Sequence, residues 1–188
     1  MSSEIVKAFY KTYAPLALEM EKKYGIPAVF ALSQSALETG YATAKPGNMM
    51  FGIKASSGWM GKIQKQLTWE CGMTGDPKAD RIFDEVIAIY PPGDPKGFAS
   101  CKGKYSYRVR SKFRAYDSAR DSFEDWVSFL SKNANYRKAI GLKDPVSFAH
   151  AVASGGYATA TNYLSVLTPI MNMMDEIKKK DSQGMQEG

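Results

Sequence analysis

Among the ionisable side chains of this 188-residue chain, Glu38 is the one best placed for proton transfer. The stretch PAVFALSQSALETG opens with Pro27, which suits a first helical turn, and ends at Gly40, a natural stop. Val29, Leu32, Ala36 and Leu37 form the expected buried stripe, while Gln34 and Glu38, four apart, share the other face. Glu38 thus falls in the last turn, where unsatisfied carbonyls and the negative end of the helix dipole disfavour a carboxylate. A proton held more tightly than on free glutamate is what a general acid near neutral pH requires. From position alone, a solvated glutamate that ends a helix is the competing reading.

A second carboxylate stands on a different kind of element. KIQKQLTWE alternates, with Ile63, Leu67 and Trp69 facing one way and Gln64, Gln66, Thr68 and Glu70 the other, which predicts a strand with Glu70 on its polar face. YRVRSKFRAY alternates too, setting Tyr107, Val109 and Phe113 against Arg108, Arg110, Lys112 and Arg114. That basic row is either a solvated strand surface or a contact for acidic groups. Between the two runs lie a possible strand, RIFDEVIAIY, carrying Asp84 and Glu85, and the turn cluster PPGDPKG, so a β-lobe is expected over residues 63–115.

The elements that must position these groups are mostly helical. Residues 3–24 read as helix, with Pro15 opening a second helix or kinking one. After a Gly/Pro-rich loop and the β-lobe, Asp117 or Ser118 caps a helix whose stripe is Ala119, Phe123, Trp126, Val127 and Leu130. Shorter helices are expected at 134–140 and 145–153, and Thr161 or Asn162 caps a final one, followed by a disordered tail over 181–188. The fold class is α+β, mostly α, as a single domain over residues 1–180 with helices flanking an inserted sheet.

Composition narrows the function classes. With 44% hydrophobic and 23% charged residues the chain resembles ordinary soluble proteins, and no run approaches the ~20 apolar residues of a membrane span. A net charge of +6 favours an acidic partner, yet no nucleic-acid motif accompanies it. Two cysteines without CxxC spacing and a single histidine fail the arithmetic of a zinc site, and no metal or cofactor is expected. The histidine, His150, lies in the apolar segment FAHAVA and is expected as a packed core or rim residue. The amino terminus lacks the pattern of a secretory signal, so synthesis in the cytoplasm is expected.

The segment ALSQSALETGYATAKPGNMMFGIKA resembles the signature of the glucosaminidases of glycoside hydrolase family 73. In that family a helix ending Leu-Glu-Ser/Thr-Gly precedes an Asn-x-Phe-Gly-Ile-Lys loop. Leu37-Glu38-Thr39-Gly40 and Asn48-Met49-Met50-Phe51-Gly52-Ile53-Lys54 match, with one residue more than usual between Asn48 and Phe51. FRAYDSARDSFEDWVSFL and GGYATATNYL look like later family segments in the family's order, so the resemblance spans roughly residues 5–175 and leaves 71–106 as an expanded hairpin lobe.

The resemblance implies a lysozyme-like helical domain with a β-lobe that cleaves peptidoglycan glycan strands after N-acetylglucosamine, without metal or cofactor. It makes Glu38 the general acid. It maps the second carboxylate, which would position or deprotonate water or stabilise an oxocarbenium-like transition state, onto Glu70 of Thr68-Trp69-Glu70, with Asp84 and Glu85 as alternatives. Tyr157 takes the place of a sugar-lining tyrosine, although Ala160-Thr161 replaces the usual Asp-Pro after it. Asn48, Phe51 and Lys54 are expected substrate contacts, and Trp59, Tyr163 and Tyr41 are looser candidates whose competing role is packing. A scaffold that binds wall without turnover is the alternative function.

Such an enzyme would act in the periplasm or wall after delivery by lysis or a secretion apparatus. In the latter case a periplasmic inhibitor protein would guard the producing cell. Cys71 and Cys101 bracket the expanded lobe and are expected to pair in an oxidising compartment, the alternative being two free thiols.

Overall fold

The computed structural model describes residues 3–157 and 162–184 and divides into two compact units. The helical unit comprises residues 1–52 and 116–188, and the β unit comprises residues 53–115, ten residues more than the expected lobe on its amino-terminal side.

In the helical unit, α1 (Ser3–Tyr24) runs through Pro15 as one helix and buries Val6, Phe9, Tyr10, Tyr13, Ala14, Ala17 and Met20. Helix α2 (Ala28–Thr39) packs against α1, α4 (Pro145–Ser154) and α5 (Tyr163–Gly184). This central position removes the expected division of α2 into an apolar and a polar face. Ala28 to Ala36 are all buried, including Ser33, Gln34 and Ser35, whereas Leu37, expected in the stripe, is only half-buried. Helix α3 (Ala119–Lys132) begins at Ser118, whose hydroxyl accepts from the Asp121 amide while the Asp121 carboxylate accepts from the Ser118 amide. Its buried face is Ser122, Phe123, Trp126, Val127 and Leu130, with Ala119 at the margin.

Three expectations in this unit are corrected. The segment 134–140 holds only a short 3-10 turn, Ala134–Tyr136, capped by Asn133. His150 is exposed rather than packed, because the buried side of α4 is formed by Phe148, Ala149 and Val152. Helix α5 continues to Gly184, four residues into the stretch expected as a tail; the remaining four, like the expected cap Thr161 and its neighbour Ala160, lie outside the described residues.

The β unit is an antiparallel sheet of β1 (Ile63–Gly72), β2 (Glu85–Tyr90) and β3 (Tyr105–Arg114), with β3 in the centre. The alternation read from β1 holds, but its polar side is the covered one. Gln64, Thr68 and Glu70 pair in register with Phe113, Val109 and Tyr107 and share their face, and Ile63 and Leu67 are left half-exposed on the other. Burial on the central strand therefore decided the sidedness, against the hydrophobicity of β1 itself.

Only Cys101, Tyr107 and Val109 are buried apolar side chains in this unit. A core this small needs staples. One is the disulfide between Cys71 and Cys101, which joins the end of β1 to the loop before β3. Another is Asp80, whose carboxylate accepts from the Met73, Thr74 and Gly75 amides and from the Tyr107 hydroxyl. Burial raises the Asp80 pKa, but these donors outweigh it and draw the carboxyl down to about 2. Burial, together with the carboxylate it serves, raises Tyr107 to about 12.

Candidate active site

Glu38 sits in the last turn of α2, which stops because Gly40 adopts the left-handed conformation at φ 63° and donates its amide to the Ala36 carbonyl. The loop that follows is fastened to α3. Asn48 donates its side-chain amide to the Tyr116 carbonyl at 3.0 Å, the Met50 amide donates to Ser122 Oγ at 3.0 Å, and the Phe51 ring stacks on Trp126 at 4.2 Å between centroids. These anchors bring Gly52 against the acid. A methyl group on Gly52 would stand 2.9 Å from Glu38 Oε2, so any larger residue would collide with the carboxylate, quite apart from the φ of +58°.

The other Glu38 oxygen, Oε1, accepts from Gln34 Nε2 at 3.0 Å. Gln34 is buried, and its own carbonyl oxygen accepts from the Tyr163 hydroxyl at 2.6 Å. With its oxygen occupied by a phenol donor, the amide can turn only its N–H₂ toward Glu38. The carboxyl group is therefore oriented from below by α5 through Gln34. Glu38 itself keeps solvent access, while the protein packed around the carboxyl strips enough water from it to raise its pKa above the ordinary glutamate range. The Gln34 hydrogen bond and the charge of Lys45 oppose that rise without cancelling it. The position and the tuning are those of a general acid.

Tyr157 accepts from Trp126 Nε1 at 2.8 Å and lies 6.1 Å, centroid to centroid, from Tyr163. Its oxygen is engaged as an acceptor, so the group it offers is its O–H. Burial, with a smaller contribution from the negative charge of Glu38, pushes its pKa well above that of free tyrosine, which keeps it a donor. Tyr163 is raised by the same two causes.

In the β unit, Lys54 Nζ lies 2.5 Å from Glu70 Oε1 and 2.8 Å from Asp84 Oδ2. Burial lowers the Lys54 pKa, but the two carboxylates outweigh it and hold it up, so one ammonium is shared by two acids. Glu85 belongs to the opposite face, where it takes Arg110 at 2.5 Å and Lys65 at 3.9 Å. Of the two alternatives weighed beside Glu70, the fold thus groups Asp84 with it and sends Glu85 elsewhere.

The matching family model, described as mannosyl-glycoprotein endo-β-N-acetylglucosaminidase, covers residues 14–176. The chain belongs to the glucosaminidase family. It is 27% identical over 184 residues to the peptidoglycan hydrolase FlgJ of Escherichia coli strain K12, matching 94% of this chain and 49% of that protein. The chain therefore spans about half the length of the curated relatives it matches. Among solved structures, the glycoside hydrolase domain of Salmonella typhimurium FlgJ superposes with a TM-score of 0.67 at 23% identity, covering all of this chain and 97% of that one. A mutant of the peptidoglycan hydrolase of Sphingomonas sp. A1 gives a TM-score of 0.65 at 29% identity over 90% of this chain and 96% of that one. The lysozyme-like, mainly helical fold with a small antiparallel sheet is thus that of this glucosaminidase family.

Within that frame the expected contact residues divide. Tyr157 and Tyr163 gather near Glu38 in the helical unit. Phe51 spends its ring on Trp126 and Phe123 and is buried, and Asn48 spends its amide on the Tyr116 carbonyl, so both shape the loop from within. Lys54 is committed to Glu70 and Asp84. Trp59 donates its N–H to the Lys62 carbonyl and lies under the Arg114 guanidinium, 4.5 Å from its ring centre. Tyr41 is buried edge-on to Phe9, which is the packing role. Sequence reading placed Gln34 beside Glu38 but missed that it orients the acid. The signal was a lone amide side chain, four residues ahead of the acid, in an otherwise apolar or small-residue helix.

Proposed function

We propose that this chain is a peptidoglycan hydrolase, an endo-β-N-acetylglucosaminidase that cleaves the β-1,4 bond after N-acetylglucosamine in wall glycan. The observation that carries the reading is Glu38. It is a solvent-reachable glutamic acid at the family's acid position, with its pKa raised by desolvation and its carboxyl fixed by buried Gln34.

In this mechanism Glu38 donates its proton to the departing glycosidic oxygen as the C–O bond breaks and positive charge develops at the sugar's anomeric carbon. Glu70 supplies the second carboxylate, positioning or deprotonating water or stabilising the cationic transition state, with Asp84 its nearest substitute through the shared Lys54. Tyr157 offers its O–H to the 2-acetamido oxygen and its ring to the sugar face, with Tyr163 locking Gln34 beneath. Neither acid–base step calls for a metal or cofactor.

Action on this substrate places the working enzyme in the periplasm or wall, reached by lysis or a secretion apparatus. A cell that makes such an activity would protect itself with an inhibitor protein in its own periplasm. The deciding experiment is mass spectrometry of digested peptidoglycan after borohydride reduction. N-acetylglucosaminitol ends support the reading, N-acetylmuramitol ends make the protein a muramidase, and binding to walls without release of fragments makes it a non-catalytic module.

A further inference from the structure

The outer face of the β-sheet carries a row of cations that the acid–base mechanism does not use. Arg108, Arg110, Lys112 and Arg114 alternate along the central strand, with Lys65 opposite Lys112 on β1. At roughly 3.4 Å per residue the row extends for about 20 Å. Glu70, the residue proposed for catalysis, faces the other way, in register with buried Tyr107. The row is built rather than merely solvated. The Arg108 guanidinium lies 4.9 Å from the Trp69 ring centre, Arg114 lies over Trp59, and Arg110 is steered by Glu85 at 2.5 Å. Such stacking fixes the plane of a guanidinium while its charge is kept. Half-exposed Ile63, Leu67 and Ile87 flank the row.

The charge of the whole molecule is concentrated here. Residues 53–115 hold twelve Lys and Arg against six Asp and Glu, while the helical unit is balanced at thirteen of each. The net charge of +6 is therefore the charge of the β unit alone.

We infer that this sheet face docks the protein onto the carboxylates of peptidoglycan peptide stems, so that the cationic row of β3 holds the wall while the acid on α2 cuts glycan. The inference rests on the peptidoglycan reading above. A line of separated cations matches carboxylates that recur along a polymer better than a single buried anion. The flanking aliphatic side chains suit the apolar portions of short peptides.

The test uses the full chain carrying Glu38→Gln, so that purified walls stay intact, and measures co-sedimentation at rising salt. Adding Lys65→Glu, Arg110→Gln and Lys112→Glu is expected to weaken wall binding at low salt by about tenfold or more and to flatten its salt dependence. Lys112→Glu alone, at an exposed position, gives a smaller loss in the same direction and guards against misfolding of the triple variant. Walls whose stem carboxylates have been amidated should bind the parent protein as weakly as native walls bind the triple variant. With Glu38 restored, the triple variant should cleave peptide-free glycan at the parent rate.

Undiminished binding by a folded triple variant overturns the inference, as does undiminished binding of the parent to amidated walls. Binding of the row to an acidic protein or to nucleic acid in place of walls overturns it too. If the parent enzyme releases nothing from walls, it is the hydrolase reading that fails, and the sedimentation result still decides the docking face on its own.

Discussion

The helical unit and the β unit are held together by different physics. In the helical unit, rings of Phe30, Phe51, Phe123 and Trp126 pack face to face and edge to face in a buried core; each such pair contributes about 0.5–1.5 kcal/mol beyond its buried area. In the β unit three buried apolar side chains suffice only because a disulfide, the Asp80 cluster and ion pairs brace the strands. The one unit is electrically balanced and fixes an acid against a rigid helix. The other is cationic and holds Glu70 and Asp84 through Lys54. A rigid apolar core can desolvate a carboxyl and raise its pKa, whereas a thin polar sheet keeps its acids paired and wet.

The sharpest way to test that difference is to remove the proposed proton donor. Glu38→Gln keeps shape and hydrogen bonding and is expected to lower kcat on peptidoglycan by about 10²–10⁴-fold with an unchanged melting temperature, read by turbidity clearing and calorimetry. Near-parental clearing by the folded variant would move the acid elsewhere.

In the β unit, Glu70→Gln should cost at least about 100-fold, and Asp84→Asn distinctly less, in the same assay. The reverse order would exchange their roles around Lys54.

The support beneath the acid gives the next effect. Gln34→Leu removes the hydrogen bond that favours the ionised form of Glu38, so its already raised pKa climbs further. Activity that needs protonated Glu38 is lost as pH rises through that pKa, and the alkaline limb of kcat/KM should therefore move to higher pH. The maximum should fall by about tenfold because the carboxyl is no longer oriented. A lowered maximum with an unmoved limb would make Gln34 a packing residue only.

Stapling of the β unit is tested by reduction. In the chain-entropy model a loop of about 30 residues closed by a disulfide contributes up to ~3–4 kcal/mol, so Cys101→Ser should lower the melting temperature. Denatured protein purified without reductant should show no titratable thiol, and two would mean the cysteines are free in solution.

The smallest effect concerns acid. Asp80 has a depressed pKa, so its contribution is present above the ordinary aspartate range and is lost as pH falls through about 2. Asp80→Asn should flatten the stability curve between pH 4 and pH 2, while the parent loses stability there.

Local chemistry was written in the sequence wherever neighbours in the chain decide the outcome. Gly40 ends α2 because glycine enters the left-handed turn without steric cost, Ser118 and Asp121 begin α3 by capping each other, and the Leu-Glu-Thr-Gly word marked Glu38 before any contact was visible. The strands of β1 and β3 were legible from alternation, and the cysteines from their bracketing of the lobe.

What only the tertiary structure decided were facts that depend on residues far apart in sequence. Gln34 orients Glu38 because Tyr163, 129 residues later, fills its carbonyl oxygen. Lys54 selects Asp84 over Glu85 as the companion of Glu70 because it reaches Asp84, just ahead of β2, at 2.8 Å, while Glu85, the first residue of β2, is drawn to Arg110. The polar side of β1 is covered because the central strand it pairs with buries Tyr107 and Val109 on that face. Periodicity says which side chains share a face; which face is covered is settled by the partner, and that information lies elsewhere in the chain.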